Sequence, residues 1–219
     1  GDFNQRITTE GTKSAEQLSW ISSKLTTESI NIVYRQSELL NNFAKELLTK
    51  MEGDIQYSGE LPKNSNHKGV MPVLLENAGD NAQIVTWLKD RISEVEQEVD
   101  VLPSIAILVN HEDEVKPLAD ALSEELEDLN IRAVACSDGQ SLGEGNDVRV
   151  FDVQHIKGLE FEAVFFVGAD TLAKNIPELF DKYLYVGATR AATFFGVTCH
   201  STAPKLINNL RSSFQQSWA

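Results

Sequence analysis

An α/β fold with a mostly parallel sheet, covered by helices on both faces, is what this 219-residue sequence predicts. Three observations predict it. Short apolar runs recur from Ser14 onward and are separated by helical patterns instead of two-residue turns, the alternation that crossovers between parallel strands require. Residues 104–109 are almost continuously apolar, as in a strand buried on both faces. With 42% hydrophobic and 24% charged residues, the chain carries enough apolar material for one such domain.

Each element has its own signal. Ser14 can cap a helix over 14–25, with Leu18, Ile21 and Leu25 at spacings of three and four. Residues 29–33 read as a short strand ending at Tyr34 and Arg35, and 37–50 as a helix with Leu40, Phe43 and Leu47 on one side. Residues 52–68 hold Gly, Pro, Ser and Asn with little periodicity and are expected to form an exposed loop. A strand at 70–75 precedes a helix at 81–99, whose Ile84, Val85, Leu88, Ile92 and Val95 keep helical spacing. After the strand at 104–109, Val115, Leu118, Leu122, Leu126 and Leu129 form one apolar stripe against Glu124, Glu125, Glu127 and Asp128, with Pro117 expected in the first turn of that helix. Residues 131–135 form another strand, and "SDGQSLGEGND" a loop by its glycines and acids. Strands at 148–153, 163–167 and 193–199 follow, with a helix over about 177–191 between the last two.

Charge and cysteine usage exclude several classes. Lys+Arg 19 against Asp+Glu 33 gives −14, which opposes broad adhesion to nucleic acid or an anionic membrane, so any nucleic-acid contact must be local. No run of about 18 apolar residues and no signal-peptide pattern occurs, so neither membrane spanning nor export is expected. The first residue is Gly1, not Met, and an upstream part is expected. Cys136 and Cys199 lie in apolar stretches with no CxxC and no nearby His that would complete a metal-ligand set. They are expected as reduced core thiols of a cytoplasmic protein, and no metal ligands are expected.

Four stretches are more polar than their positions require: "GDFNQ" at 1–5, "YRQS" at 34–37, "KGLEF" at 157–161 and "YVGATRA" at 185–191. In a parallel sheet the strand C-terminal ends and the helix starts that follow gather on one edge, where ligands bind, and helix starts offer N–H groups to anions. Arg35 and Arg190 on such an edge would suit a polyphosphate, Glu160 a ribose hydroxyl, and Gln5 a water or phosphate. The same residues, taken singly, are more commonly a surface or ion-paired arginine, a turn glycine and a solvated glutamate. No Gly-x-x-x-x-Gly-Lys-Ser/Thr occurs, so the chain supplies at most one wall of a nucleotide site. Absence of Gly-x-Gly-x-x-Gly argues against a self-contained dinucleotide enzyme.

Taken in order, the four stretches resemble motifs of superfamily 1 helicases of the UvrD/Rep/PcrA type. "GDFNQRI" resembles motif III, "IVYRQS" motif IV, "VRVFDVQHIKGLEFEAVFFVG" motif V and "LYVGATRA" motif VI. The resemblance implies a RecA-like three-layer α/β/α domain, the second motor domain of an ATP-dependent DNA helicase, with residues 1–13 the end of the first motor domain and linker, and 14–219 the second domain. It implies that Arg190, as an arginine finger, and Arg35 reach the γ-phosphate of ATP, and that Gln5 senses it. By the same resemblance Glu160, with Gly158, Lys157 and Tyr185, binds nucleotide, while Gln154, His155 and Thr189 contact nucleic acid. Mg²⁺ would be held mainly by the upstream first domain. The implied partners are that domain and single-stranded or partly duplex DNA, and the fragment alone is not expected to hydrolyse ATP.

Three places depart from the family's pattern. "TTEGTK" follows Ile7 where an aromatic and an Arg usually occur; Asp152 and Gln154 occupy the motif V Thr and His positions, with His155 one place late; and no room exists for the 2B insertion. With the charge of −14 and the acidic 124–128 segment, these departures motivate a second reading, a helicase-derived module that binds a protein partner without unwinding DNA.

Overall fold

A computed structural model describes residues 36–51, 67–99, 101–156 and 158–219. The expected helix at 14–25, the strand at 29–33, most of the loop at 52–68 and the boundary near residue 13 lie outside the described residues. The elements run α1 (Glu38–Lys50), β1 (Val73–Leu75), α2 (Asn81–Val99), β2 (Ile105–Val109), α3 (Glu112–Glu125), β3 (Ala133–Ala135), β4 (Val148–Asp152), β5 (Phe161–Phe166), α4 (Ala169–Asn175), α5 (Pro177–Arg190), β6 (Ala191–Thr198) and α6 (Lys205–Asn209).

Six strands pair in the order β1-β6-β5-β2-β4-β3, and every pair is parallel. Alternate residues along the strands feed two separate cores. On one face Leu108, Phe151, Phe166 and Phe195 pack with Leu40 and Phe43 of α1 and Leu184 of α5. On the other Ile107, Val150, Phe165 and Phe194 pack with Ile84 and Leu88 of α2 and Leu122 of α3. The middle strands are therefore buried on both faces, which is why β2 reads as "IAILV" without alternation. This is the expected three-layer α/β/α arrangement.

The direction in which the chain progresses across the sheet reverses between β2 and β5: β2 leads through α3 toward β3, whereas β5 leads through α4 and α5 toward β6. That reversal is the topological switch point of the sheet, a common place for a ligand crevice.

Two local expectations need correction. Pro117 is the sixth residue of α3, not in its first turn. It deprives the Asp113 carbonyl of its i+4 donor, but Asp113 and Pro117 are both exposed, so water can solvate that carbonyl. The segment before α5 also contains an unanticipated helix, α4, whose seven residues are too few to display a period. It is separated from α5 because Pro177 starts a new helix, and it follows Gly168, whose φ of +68° turns the chain sharply at the end of β5. Cys136 and Cys199 are free and fully buried, as expected. Among the described residues no helix is long and apolar enough to cross a membrane.

Candidate functional site

Helix α5 covers one face of the sheet and passes directly into β6, so its C-terminal residue Arg190 stands beside Ala191, the first residue of that strand. Ala191 is level with Phe161, the first residue of β5. The "TRA" stretch and residues 158–161 therefore meet at the starts of β5 and β6, the strand N-terminal end, not at the C-terminal edge that the general rule suggested. The physical reason is connectivity: a crossover helix returns the chain to the start of the next strand, so residues closing a helix gather opposite those that open one.

Arg190 is 8% exposed. Its guanidinium donates to the Leu159 carbonyl through Nη1 and to the Thr189 hydroxyl through Nη2, both at 3.4 Å. Thr189 donates its own hydroxyl proton to Val186 O at 3.0 Å, within the last turn of α5. The position is electrostatically apt, because the carbonyl end of a helix favours a cation. Gly158 has φ +89° with open space around it, so this turn needs glycine for its backbone and not for packing. Glu160 is exposed beside it.

Gln36 and Ser37, the described part of the "YRQS" stretch, join the same place. Gln36, 7% exposed, donates from Nε2 to both Ala188 O and Ala191 O at 3.1 Å. Ser37 N donates to Ala192 O at 2.8 Å. The first N–H groups of α1 are not available to an anion, since Glu38 N and Leu39 N donate to His67 O and Lys68 O. Arg35, Lys157 and Gln5 lie outside the described residues. Tyr185 is 2% exposed and belongs to the core beneath α5.

A polar string that sequence reasoning missed borders this site. Thr193 donates to Glu162 Oε1, so its oxygen accepts from His67 Nε2 at 2.7 Å, which fixes the proton on that nitrogen. Glu162 and Thr193 sit in adjacent strands where the register shifts between Phe161 and Ala163. Only the pairing reveals them; nothing in "LEFEAV" marks the second glutamate.

Gln154 and His155 occupy the other end. They follow β4, whose last residue Asp152 is level with Val109 at the close of β2. Five steps along β5, about 17 Å at ~3.3 Å each, separate its two ends. Thr189 is thus grouped with Arg190 and not with Gln154 and His155. Asp152 is 3% exposed, and burial pushes its carboxyl above the usual range. Its Oδ1 accepts from Gln154 N at 2.8 Å. At the switch point on this same edge a crevice of about 400 Å³ is lined by Asn110, His111, Asp113, Glu114, Leu172, Asn175 and Ile176. It is acidic and contains none of the expected residues.

The segment from just before β4 to near the end of β6 carries both motif stretches and both strand ends. Residues 147–197 match the UvrD-like helicase C-terminal domain. No curated protein matches the chain significantly. Among solved structures, the C-terminal domain of a possible DNA helicase from Lactobacillus plantarum WCFS1 is similar, with a TM-score of 0.57 and 22% identity, over 84% of this chain and 98% of that one. That likeness concerns the fold. The family match, at motifs V and VI, is the one the residues themselves had suggested, and the UvrD-like segment includes Asp152, Gln154, His155, Gly158, Glu160, Tyr185, Thr189 and Arg190.

Proposed function

We propose that this chain is the second motor domain of an ATP-dependent DNA helicase or translocase. The observation that carries the reading is the convergence of Gln36, the Gly158–Glu160 turn and Arg190 on one strand end. This donor and acceptor set suits a nucleotide: a guanidinium held in place for phosphate oxygens and an exposed Glu160 carboxylate for a ribose hydroxyl. Arg35, Gln5 and Lys157 complete the proposed set, and Tyr185 supports it from the core. ATP, with Mg²⁺ held by an upstream RecA-like domain, supplies the phosphoryl chemistry. Arg190 is the residue that meets charge developing on the γ-phosphate when the two domains close. Closing and reopening would step the domains along single-stranded or partly duplex DNA, with Gln154 and His155 facing the strand and Thr189 positioning Arg190.

The test is to join the upstream domain and replace Arg190 by Ala. DNA-stimulated ATPase should fall by about 10³-fold or more, the loss typical of an arginine finger. Activity near wild type sinks the role given to Arg190. A second reading, a protein-binding module of helicase descent, draws on Asp152 and the acidic crevice, both on the edge where DNA phosphates would have to lie. An upstream chain lacking a phosphate loop would favour it.

A further inference from the structure

We propose that Glu112, Asp152 and His155 bind one first-row divalent transition ion, with Zn²⁺ as the best fit. One ligand atom from each lies within 4.8 Å of the others. Tetrahedral bonds of about 2.0–2.2 Å require ligand separations of roughly 3.4 Å, so small side-chain rotations close the set.

The three residues are presented by rigid elements. Asp152 ends β4 and Glu112 begins α3 just after β2, and these two strands are hydrogen-bonded neighbours whose last residues are level. His155 ends the short 3-10 turn that follows Asp152. Its Nδ1 stands 3.5 Å from Glu112 Oε2.

The polar groups here are poorly satisfied by protein. Asp152 is 3% exposed, and its Oδ1 accepts a local contact from Gln154 N. Glu112 Oε1 accepts from Asp138 N at 3.1 Å, while Oε2 is buried with no hydrogen-bond partner. No Lys or Arg among the described residues pairs with either carboxylate. Two carboxylates this close oppose each other and cost desolvation, and a divalent cation removes both penalties. The imidazole selects the ion: Mg²⁺ and Ca²⁺ prefer oxygen, whereas Zn²⁺ accepts imidazole and carboxylate together. Three protein ligands leave one position open toward solvent on the exposed side of His155. The inference does not depend on the helicase reading. Glu112 is remote in sequence from the Asp152–His155 pair, so no spacing motif announces the set.

The experiment is calorimetric titration of the chelator-treated 219-residue chain with ZnCl₂ in excess Mg²⁺, repeated for His155→Ala, Asp152→Asn and, as a control, His200→Ala. Wild type and the control should bind one Zn²⁺, and saturating Zn²⁺ should raise their melting temperature. His155→Ala and Asp152→Asn should each weaken binding at least ~10-fold and lose the melting shift. The His155 ring is exposed, so its removal tests the site without threatening the fold, and a Zn²⁺-induced shift of its ring nitrogen by NMR is a second readout. No Zn²⁺ binding by wild type, or equal binding by wild type and both site variants, overturns the proposal.

Discussion

Replacing Gln36 by Ala should loosen the joint between α1 and the α5–β6 turn, and its cost can be worked from two hydrogen bonds. The Gln36 amide donates at 3.1 Å to Ala188 O and Ala191 O, which belong to the last turn of α5 and the first residue of β6. Ala188 O also accepts from the Ala191 N–H at the end of α5, and the site is buried, with Gln36 7% exposed. Each such bond contributes about 0.5–1.5 kcal/mol net, so the loss of two is about 1–3 kcal/mol. For a domain of this size 1 kcal/mol moves the melting temperature by roughly 2–4 °C, giving a drop of about 2–12 °C. Thermal and urea unfolding of the 219-residue chain, with the exposed Gln83→Ala as a near-neutral control, measure it. A loss below about 0.5 kcal/mol, no larger than an ordinary surface change, would refute the claim that Gln36 ties this end of the sheet together.

Gly158→Ala should cost about 1–2 kcal/mol, because φ is +89° while nothing crowds an added Cβ; the measurement is urea unfolding, and a neutral result would mean the turn relaxes freely. Two aspartates should give opposite pH signatures. The Arg132 guanidinium holds the Asp147 carboxyl below its ordinary value, so Asp147 stabilises the fold above its unfolded pKa and that contribution is lost as pH falls through the folded one; Asp147→Asn should therefore destabilise at neutral pH and progressively less on acidification. Burial raises the Asp152 carboxyl, so in metal-free protein its charge costs stability once pH has risen through the folded pKa. Asp152→Asn should be more stable than wild type at neutral pH, with the gain vanishing toward about pH 3.9, the unfolded value. Burial pushes the Cys199 thiol up to about 12, so thiol reagents near neutral pH should label it in unfolded chain and not in folded chain; fast labelling of native protein would refute its burial.

How far the sequence revealed this depended on whether a feature is local. The helix at 81–99 was legible to the residue because its apolar face repeats over nineteen positions. The strand at 163–167 was legible in its middle but not at its start, since Phe161 and Glu162 belong to β5 through pairing with neighbours. "KGLEF" and "YVGATRA" stood out as stretches because their polarity conflicts with the apolar runs beside them. Which end of the sheet they occupy is not legible, because the rule about strand C-terminal ends does not hold for residues that close a helix and open a strand. Glu162, Thr193 and His67 form one hydrogen-bonded string only after strand register is known. Glu112 meets His155 only once β2 and β4 lie side by side.

Besides the strands and crossover helices, the residues after β4 and those before β5 link the two ends of the sheet over a short stretch of sequence. From Asp152 the backbone turns through Val153–His155, passes Ile156, and reaches Leu159, whose carbonyl accepts from Arg190. Ile156 is fully buried in the α5-side core, and Leu159 N donates back to Ile156 O at 3.2 Å, so the middle of the connection is anchored. A ligand that displaces His155 must either rotate this segment about Ile156, moving the Leu159 carbonyl away from Arg190, or leave the far end untouched. Close packing around Ile156 and Phe161 disfavours small continuous deformation and favours two discrete arrangements. Coupling between the His155 edge and the Arg190 edge through this link would be reported by the making and breaking of the 3.4 Å contact from Arg190 to Leu159.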